Sequence, residues 1–262
     1  MAPCSKTGSV VKVMGYSRAP DLRLPMLNLK IIKAITLDLD DTLWPVWPAI
    51  ERAEKALENW LNLQAPMTAA LFANAAVRDE IRSHVVRTRP ELKHNLSAVR
   101  REAIRVALYR SKENPLLAEP AFDVFFAERN RVVLFDDVMP ALEFLAARFP
   151  VVALSNGNAD IKAVGIAPYF KASISAQEFG VGKPDARIFH AAAGALDVDP
   201  AHVLHIGDDP GLDVLGALNA GMQTVWLNRP ADAWKYDDKP HLTVSTLTQL
   251  CDHMDTESRV LA

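Results

Sequence analysis

The sequence predicts an α/β fold, a doubly wound, Rossmann-like parallel sheet with an all-helical domain inserted after its first strand. Three observations carry this. Short apolar runs at 151–154, 203–206 and 224–227 alternate with stretches whose apolar residues recur at helical spacing. Between the first strand-like run and Asn130 only helical spacing occurs, so the winding is interrupted once. Acids, amides and glycines gather directly after the apolar runs, where a parallel sheet places its ligand.

The elements follow in order. Residues 1–33 hold six Lys or Arg against one acid, Asp21, so this stretch carries +5 and, of a total of −3, the rest carries −8. Residues 1–28 lack hydrophobic periodicity and read as an N-terminal arm. Leu27, Leu29, Ile31, Ile32, Ala34, Ile35 and Leu37 form a run short enough for a buried strand. Pro45 and Pro48 punctuate a loop, after which Ile50, Ala53, Leu57, Trp60 and Leu61 recur at helical spacing. The expected division is a core of 29–45 and 131–262 around an inserted helical domain, 46–130. Within the core, helices are expected around 139–149, 186–196 (Pro184 in its first turn) and 212–220. Short strands are expected at 172–175 and 242–244, and no internal repeat is evident.

Composition narrows the function classes. Half of the 262 residues are hydrophobic and 23% are charged, enough apolar surface for a packed core and too little polarity for disorder. A formal charge of −3 argues against a nucleic-acid binder. No apolar run approaches the ~18–20 residues of a bilayer span, and the N-terminus lacks a continuous secretory h-region, so no membrane partner and a cytoplasmic location are expected. Cys4 and Cys251 stand near opposite ends and give neither a disulfide framework nor zinc spacing. No sequence feature sets an oligomeric state.

The chemistry lies in the residues after the apolar runs. The first ends in Asp38, Asp40 and Thr42, the second in Ser155, Asn156 and Gly157, and another in Gly207, Asp208 and Asp209, with Asp213 one turn on. Between them stands Gly182-Lys183-Pro184-Asp185. Several carboxylates, one ammonium, one hydroxyl and one amide suit Mg²⁺ held against a phosphate, because hard cations take oxygen ligands and Mg²⁺ shares carboxylates with phosphates. The Gly180-Val181-Gly182-Lys183 stretch is no nucleotide loop, since Pro184 replaces the required Ser or Thr. His202 and His205, on or near a buried strand, read as structural.

In order and content, Asp38-Leu39-Asp40-Asp41-Thr42, Ser155-Asn156, Lys183-Pro184 and Gly207-Asp208-Asp209 with Asp213 resemble the four motifs of the haloacid dehalogenase-like phosphohydrolases. The resemblance covers about residues 30–250, and an inserted helical cap after the first motif is what it implies. More narrowly, 154–159 and 204–209, followed by Gly216, Gly221 and Trp226, resemble bacterial phosphatases of flavin mononucleotide and of the ribitylamino-uracil intermediate of riboflavin synthesis. The resemblance implies Asp38 as nucleophile, Asp40 as general acid and base, and Lys183 as the balancing catalytic cation. It also implies Mg²⁺ held by Asp38, the backbone carbonyl of Asp40 and Asp208, with Asp209 and Asp213 in or next to the metal site. Ser155, the N–H of Asn156 and Thr42 would meet a small phosphorylated metabolite.

Each residue also has a plainer reading. An Asp-x-Asp pair alone is a common turn, Ser155 alone a cap, and Lys183 alone a surface charge; their joint placement favours catalysis. A dehalogenase needs neither Mg²⁺ nor a second acid-base carboxylate, so Asp40 with Asp208 argues against one. A phosphomutase shares the first aspartate pair, and an idle interaction module is disfavoured because every chemical position is filled. Residues 78–112 hold ten Lys or Arg against four acids, either a solvated face or, through Arg100 and its neighbours, a clamp on an anionic substrate. Trp44 and Trp47 could stack on a planar ring or seal the hinge.

Overall fold

A computed structural model describes residues 26–261, so most of the expected N-terminal arm lies outside the described residues. Strand β1 (Ala34–Leu37) leads into five helices: α1 (Val46–Gln64), α2 (Pro66–Phe72), α3 (Ala75–Thr88), α4 (Leu96–Arg110) and α5 (Ala118–Arg129). The chain then alternates: α6 (Val138–Ala146), β2 (Val151–Ser155), α7 (Ile161–Val164), β3 (Ala172–Ser175), α8 (Ala176–Phe179), α9 (Ala186–Gly194) and β4 (Val203–Gly207). A π-helical turn (Pro210–Leu215) runs into α10 (Gly216–Asn219), then β5 (Gln223–Leu227), β6 (Leu242–Val244) and α11 (Leu247–Leu261).

The six strands are all parallel, in the order β3-β2-β1-β4-β5-β6. This is the expected doubly wound sheet. Its winding reverses between β1 and β4, so a crevice opens at their carboxyl ends. Period-two alternation divides the strands between two cores. Ile35, Leu37, Val151, Ala153, Leu204 and Ile206 face one side, with Leu142 of α6 and Leu250 of α11. Ala34, Val152, Leu154 and Val203 face the other, with Ile188 and Phe189 of α9.

The helical segment has its own core. Ala53, Leu57 and Leu61 recur every four residues along α1 and pack with Phe122 and Phe125 of α5. It is tied to the sheet at both ends. On the way out, Asp41 takes a left-handed conformation (φ 60°) and its side chain accepts from the Val46 N–H at 2.9 Å. On the way back, Asn130 Oδ1 accepts from the Asp160 N–H at 2.8 Å. Among the described residues no helix is long and apolar enough to cross a membrane.

The structure corrects three expectations and adds an element that none of them covered. The run from Leu27 is not strand throughout: Asn28 caps a 3₁₀ turn at Leu29–Ile31, and extended pairing starts only where Ala34 meets Val203. Pro184 precedes α9 instead of sitting in its first turn, because the Asp185 carboxylate caps that helix through the Arg187 N–H. The helix expected at 212–220 starts earlier, as the π-helical turn, with Asp209 capping it. Helix α11 was not expected at all.

Candidate active site

Asp38 continues β1 by one residue, its N–H donating to the Ile206 carbonyl of β4 at 3.0 Å, and is thereby fixed at the switch point. Lys183 Nζ donates to Asp38 Oδ1 and, at 2.5 Å, to Asp213 Oδ1. The lysine backbone is clamped by Asn156, whose Oδ1 accepts from the Lys183 N–H at 2.7 Å and whose Nδ2 donates to the Lys183 carbonyl at 2.9 Å. A side chain at position 182 would drive its Cβ within 2.5 Å of Asn156 Oδ1, so glycine permits this clamp.

Asp213, on the π-helical turn, is wholly engaged. Oδ1 takes Lys183 and His205 Nε2 (3.0 Å), and Oδ2 accepts from the Asp209 N–H at 3.0 Å. His205 Nδ1 meets Thr36 Oγ1 at 2.8 Å, and Phe189 packs edge-on against the ring. Burial holds His205 below its usual pKa, so the ring is neutral: Nε2–H donates to Asp213 and Nδ1 accepts the threonine hydroxyl. Burial would raise the Asp213 carboxyl, but Lys183 and His205 outweigh it and hold it well below the usual range.

Oxygens of Asp38, Asp208 and Asp213 lie within 4.8 Å of one another. Asp208 Oδ1 accepts from the Thr42 hydroxyl at 3.0 Å, and its carbonyl accepts from Trp226 Nε1 at 2.7 Å. Burial, with the charge of Asp213, pushes Asp208 up to about 7. Burial also raises Asp38, and the neighbouring acids add to this against the pull of Lys183. Three carboxylates against one ammonium leave a deficit of two positive charges. Asp38 Oδ2 and Asp208 Oδ2 have no partner among the described residues. That all-oxygen donor set and charge deficit fit a divalent hard cation.

Asp40 lies apart from this trio. Its carboxylate accepts from Arg129 Nη2 at 2.6 and 2.7 Å and from Trp44 Nε1 at 2.8 Å. Gly157 lies so close that a Cβ there would collide with Asp40 Oδ2, and its N–H donates to Ser155 Oγ at 2.9 Å.

Several sequence-based assignments thus find other partners. The Asp209 side chain is not in the trio, because Oδ1 accepts from the N–H groups of Gly211 and Leu212, both at 2.7 Å. Thr42 donates to Asp208 and its carbonyl accepts from Arg229 at 3.0 Å. The Asn156 side chain serves Lys183. Arg100 sits on α4, paired with Glu54 at 2.6 Å and stacked on Phe125, and it feels the charge of Arg129. Trp44 is fully buried, which favours hinge packing, whereas Trp47 is 69% exposed. Sequence reasoning missed Arg129 and the polar role of Trp44.

A model of haloacid dehalogenase-like hydrolases matches residues 32–221. The chain belongs to this family. It is 32% identical over 228 residues to the 5-amino-6-(5-phospho-D-ribitylamino)uracil phosphatase YigB of Escherichia coli, covering 84% of this chain and 94% of that one. It is also 32% identical over 157 residues to a phosphoserine phosphatase of Thermus thermophilus, covering 58% and 63%. Among solved structures, a 2-haloacid dehalogenase from Pseudomonas syringae superposes with a TM-score of 0.82 at 38% identity, covering 86% and 99%. The family read from the four motifs is therefore the right one, and so is the expectation of a phosphatase-type enzyme.

Proposed function

We propose that the protein is a Mg²⁺-dependent phosphomonoester hydrolase working through an aspartyl-phosphate. The observation that carries this is the grouping of Asp38 and Asp208, each with one unengaged oxygen, beside the buried Lys183. An oxygen of Asp38 attacks phosphorus, the ester P–O bond breaks, and the leaving alkoxide takes a proton from the Asp40 carboxyl. Water then attacks the aspartyl-phosphate while Asp40 takes its proton, and the bond from phosphorus to Asp38 breaks to release phosphate. Bound Mg²⁺, held by Asp38, Asp208 and the Asp40 carbonyl, would offset repulsion between these carboxylates and the anionic ester. Ser155 and the Asn156 N–H hold phosphoryl oxygens. The helical segment serves as the cap that closes over them, with its boundaries at about residues 46 and 130.

For the substrate we propose a small phosphorylated metabolite of the cytoplasm, with flavin mononucleotide or a ribityl phosphate of riboflavin metabolism first among them. The YigB relative and a cleft of about 610 Å³ beside Asp208 support this, since the exposed Trp47 lines that cleft and offers a ring face to a planar group. Asp40 and Asp208 favour this reading over the dehalogenation named for the Pseudomonas syringae structure. The test is phosphate release from flavin mononucleotide, sugar phosphates and nucleotides with Mg²⁺ or EDTA, alongside halide release from a 2-haloacid. Mg²⁺-dependent phosphate release is expected. Halide release alone, or phosphate transfer without hydrolysis, would overturn the reading.

A further inference from the structure

Arg129 is an unusual buried arginine. Its side chain is 2% exposed, and Asp40 is its one hydrogen-bonding partner among the described residues; Nε and Nη1 are buried without any. Such a guanidinium is costly to keep unless its single pair matters. Its place in the chain is telling. Arg129 ends α5, where the chain returns from the helical segment, and Trp44, the other donor to Asp40, stands where the chain departs. The two donors thus approach one carboxylate from both junctions of the insert. The following residue, Asn130, is fixed to the core through Asp160, so the guanidinium has a rigid base.

We propose that Arg129 is the positioning residue for the proton-transferring carboxylate: by holding Asp40 against Trp44 it sets the acid's aim and ties that aim to the seating of the helical segment. This rests on the phosphohydrolase reading above. Arg129 touches no substrate in this role, so its loss should act on leaving-group protonation and spare the attack by Asp38.

The test compares kcat/KM, which reports steps up to loss of the leaving group, for p-nitrophenyl phosphate and an alkyl phosphomonoester. The variants are Arg129→Met, Arg129→Lys and Trp44→Phe, each checked by circular dichroism. For Arg129→Met the alkyl ester should lose about 10²-fold, the scale of general-acid catalysis, while p-nitrophenyl phosphate, whose leaving group needs no proton, changes by less than about fivefold. Arg129→Lys should recover part of the selective loss, and Trp44→Phe should show a smaller loss of the same kind. If Arg129→Met does not fold, the other two variants decide. Equal losses on both esters, or a loss confined to KM for both, would overturn the proposal and leave Arg129 a structural residue. A wild-type protein that hydrolyses neither ester with Mg²⁺ would remove the underlying reading as well.

Discussion

Three carboxylates around one ammonium make the site sensitive to pH and to cations. With Asp208 pushed up to about 7, the unfolded chain loses this proton near pH 4 while the folded protein keeps it until about pH 7. The stability this group contributes is therefore full below pH 4 and falls as pH rises through that window. A bound divalent cation reverses the preference. In EDTA the Tm should decline from pH 5 to pH 8, and Mg²⁺ should raise Tm more at pH 8 than at pH 5; equal increments would contradict the metal assignment. Asp38→Asn removes one of the crowded acids and leaves Lys183 its bond to Asp213, so turnover should vanish with Tm unchanged or higher. Asp40→Asn should do the opposite to stability, because it leaves Arg129 buried beside a neutral amide. A loss of roughly 1–3 kcal/mol in urea denaturation is expected, less than for a fully dry pair since Asp40 is partly exposed. Most of the site's grouping was legible at this scale, as Asp38, Lys183, Asp208 and Asp213 do converge. Arg129 was not, because its partner lies 89 residues away and no local pattern marks the pair.

Among the elements, α1 and α5 set the helical segment's integrity, and the sequence made α1 plain through Ala53, Leu57 and Leu61. Leu57 is 2% exposed between α1 and α5, so Leu57→Ala should cost about 2–5 kcal/mol, read as a lowered urea midpoint. Because this core is separate from those flanking the sheet, the variant should keep native β-sheet circular dichroism. Elements whose form depends on distant partners were harder to read. The start of β1 is set by where Val203 and Val151 stand beside it, information absent from residues 27–33. The π-helical turn depends on the Asp209 cap and on Asp213 being held by Lys183 and His205. In α11, Leu247, Leu250 and Met254 form an apolar face, but polar residues between them mask it in a simple scan.

Across the whole molecule, the helical segment meets the acidic core through the pair Arg129–Asp40. Arg129 ends α5, and Arg100 of α4 stacks on Phe125, one turn before Arg129. If this face attracts the substrate's anion, Arg100→Ala should raise KM for the best natural ester and leave p-nitrophenyl phosphate kinetics little changed. Unchanged KM for both would return Arg100 to its structural pairing with Glu54. The insertion also bears on how the chain assembles during synthesis. Strand β1 pairs Ile35 with Val151 and with Leu204, 116 and 169 residues further along. At ribosomal rates of ~5–20 residues per second, roughly 8–34 s separate the emergence of β1 from that of its second neighbour. In that interval the helical segment, built from local contacts, is free to fold by itself, while an apolar β1 edge waits without partners. The strand that presents Asp38 is thus made before every other strand of the sheet and gains its second neighbour only once β4 has emerged, so a chaperone that shields exposed strands would act on it in that interval.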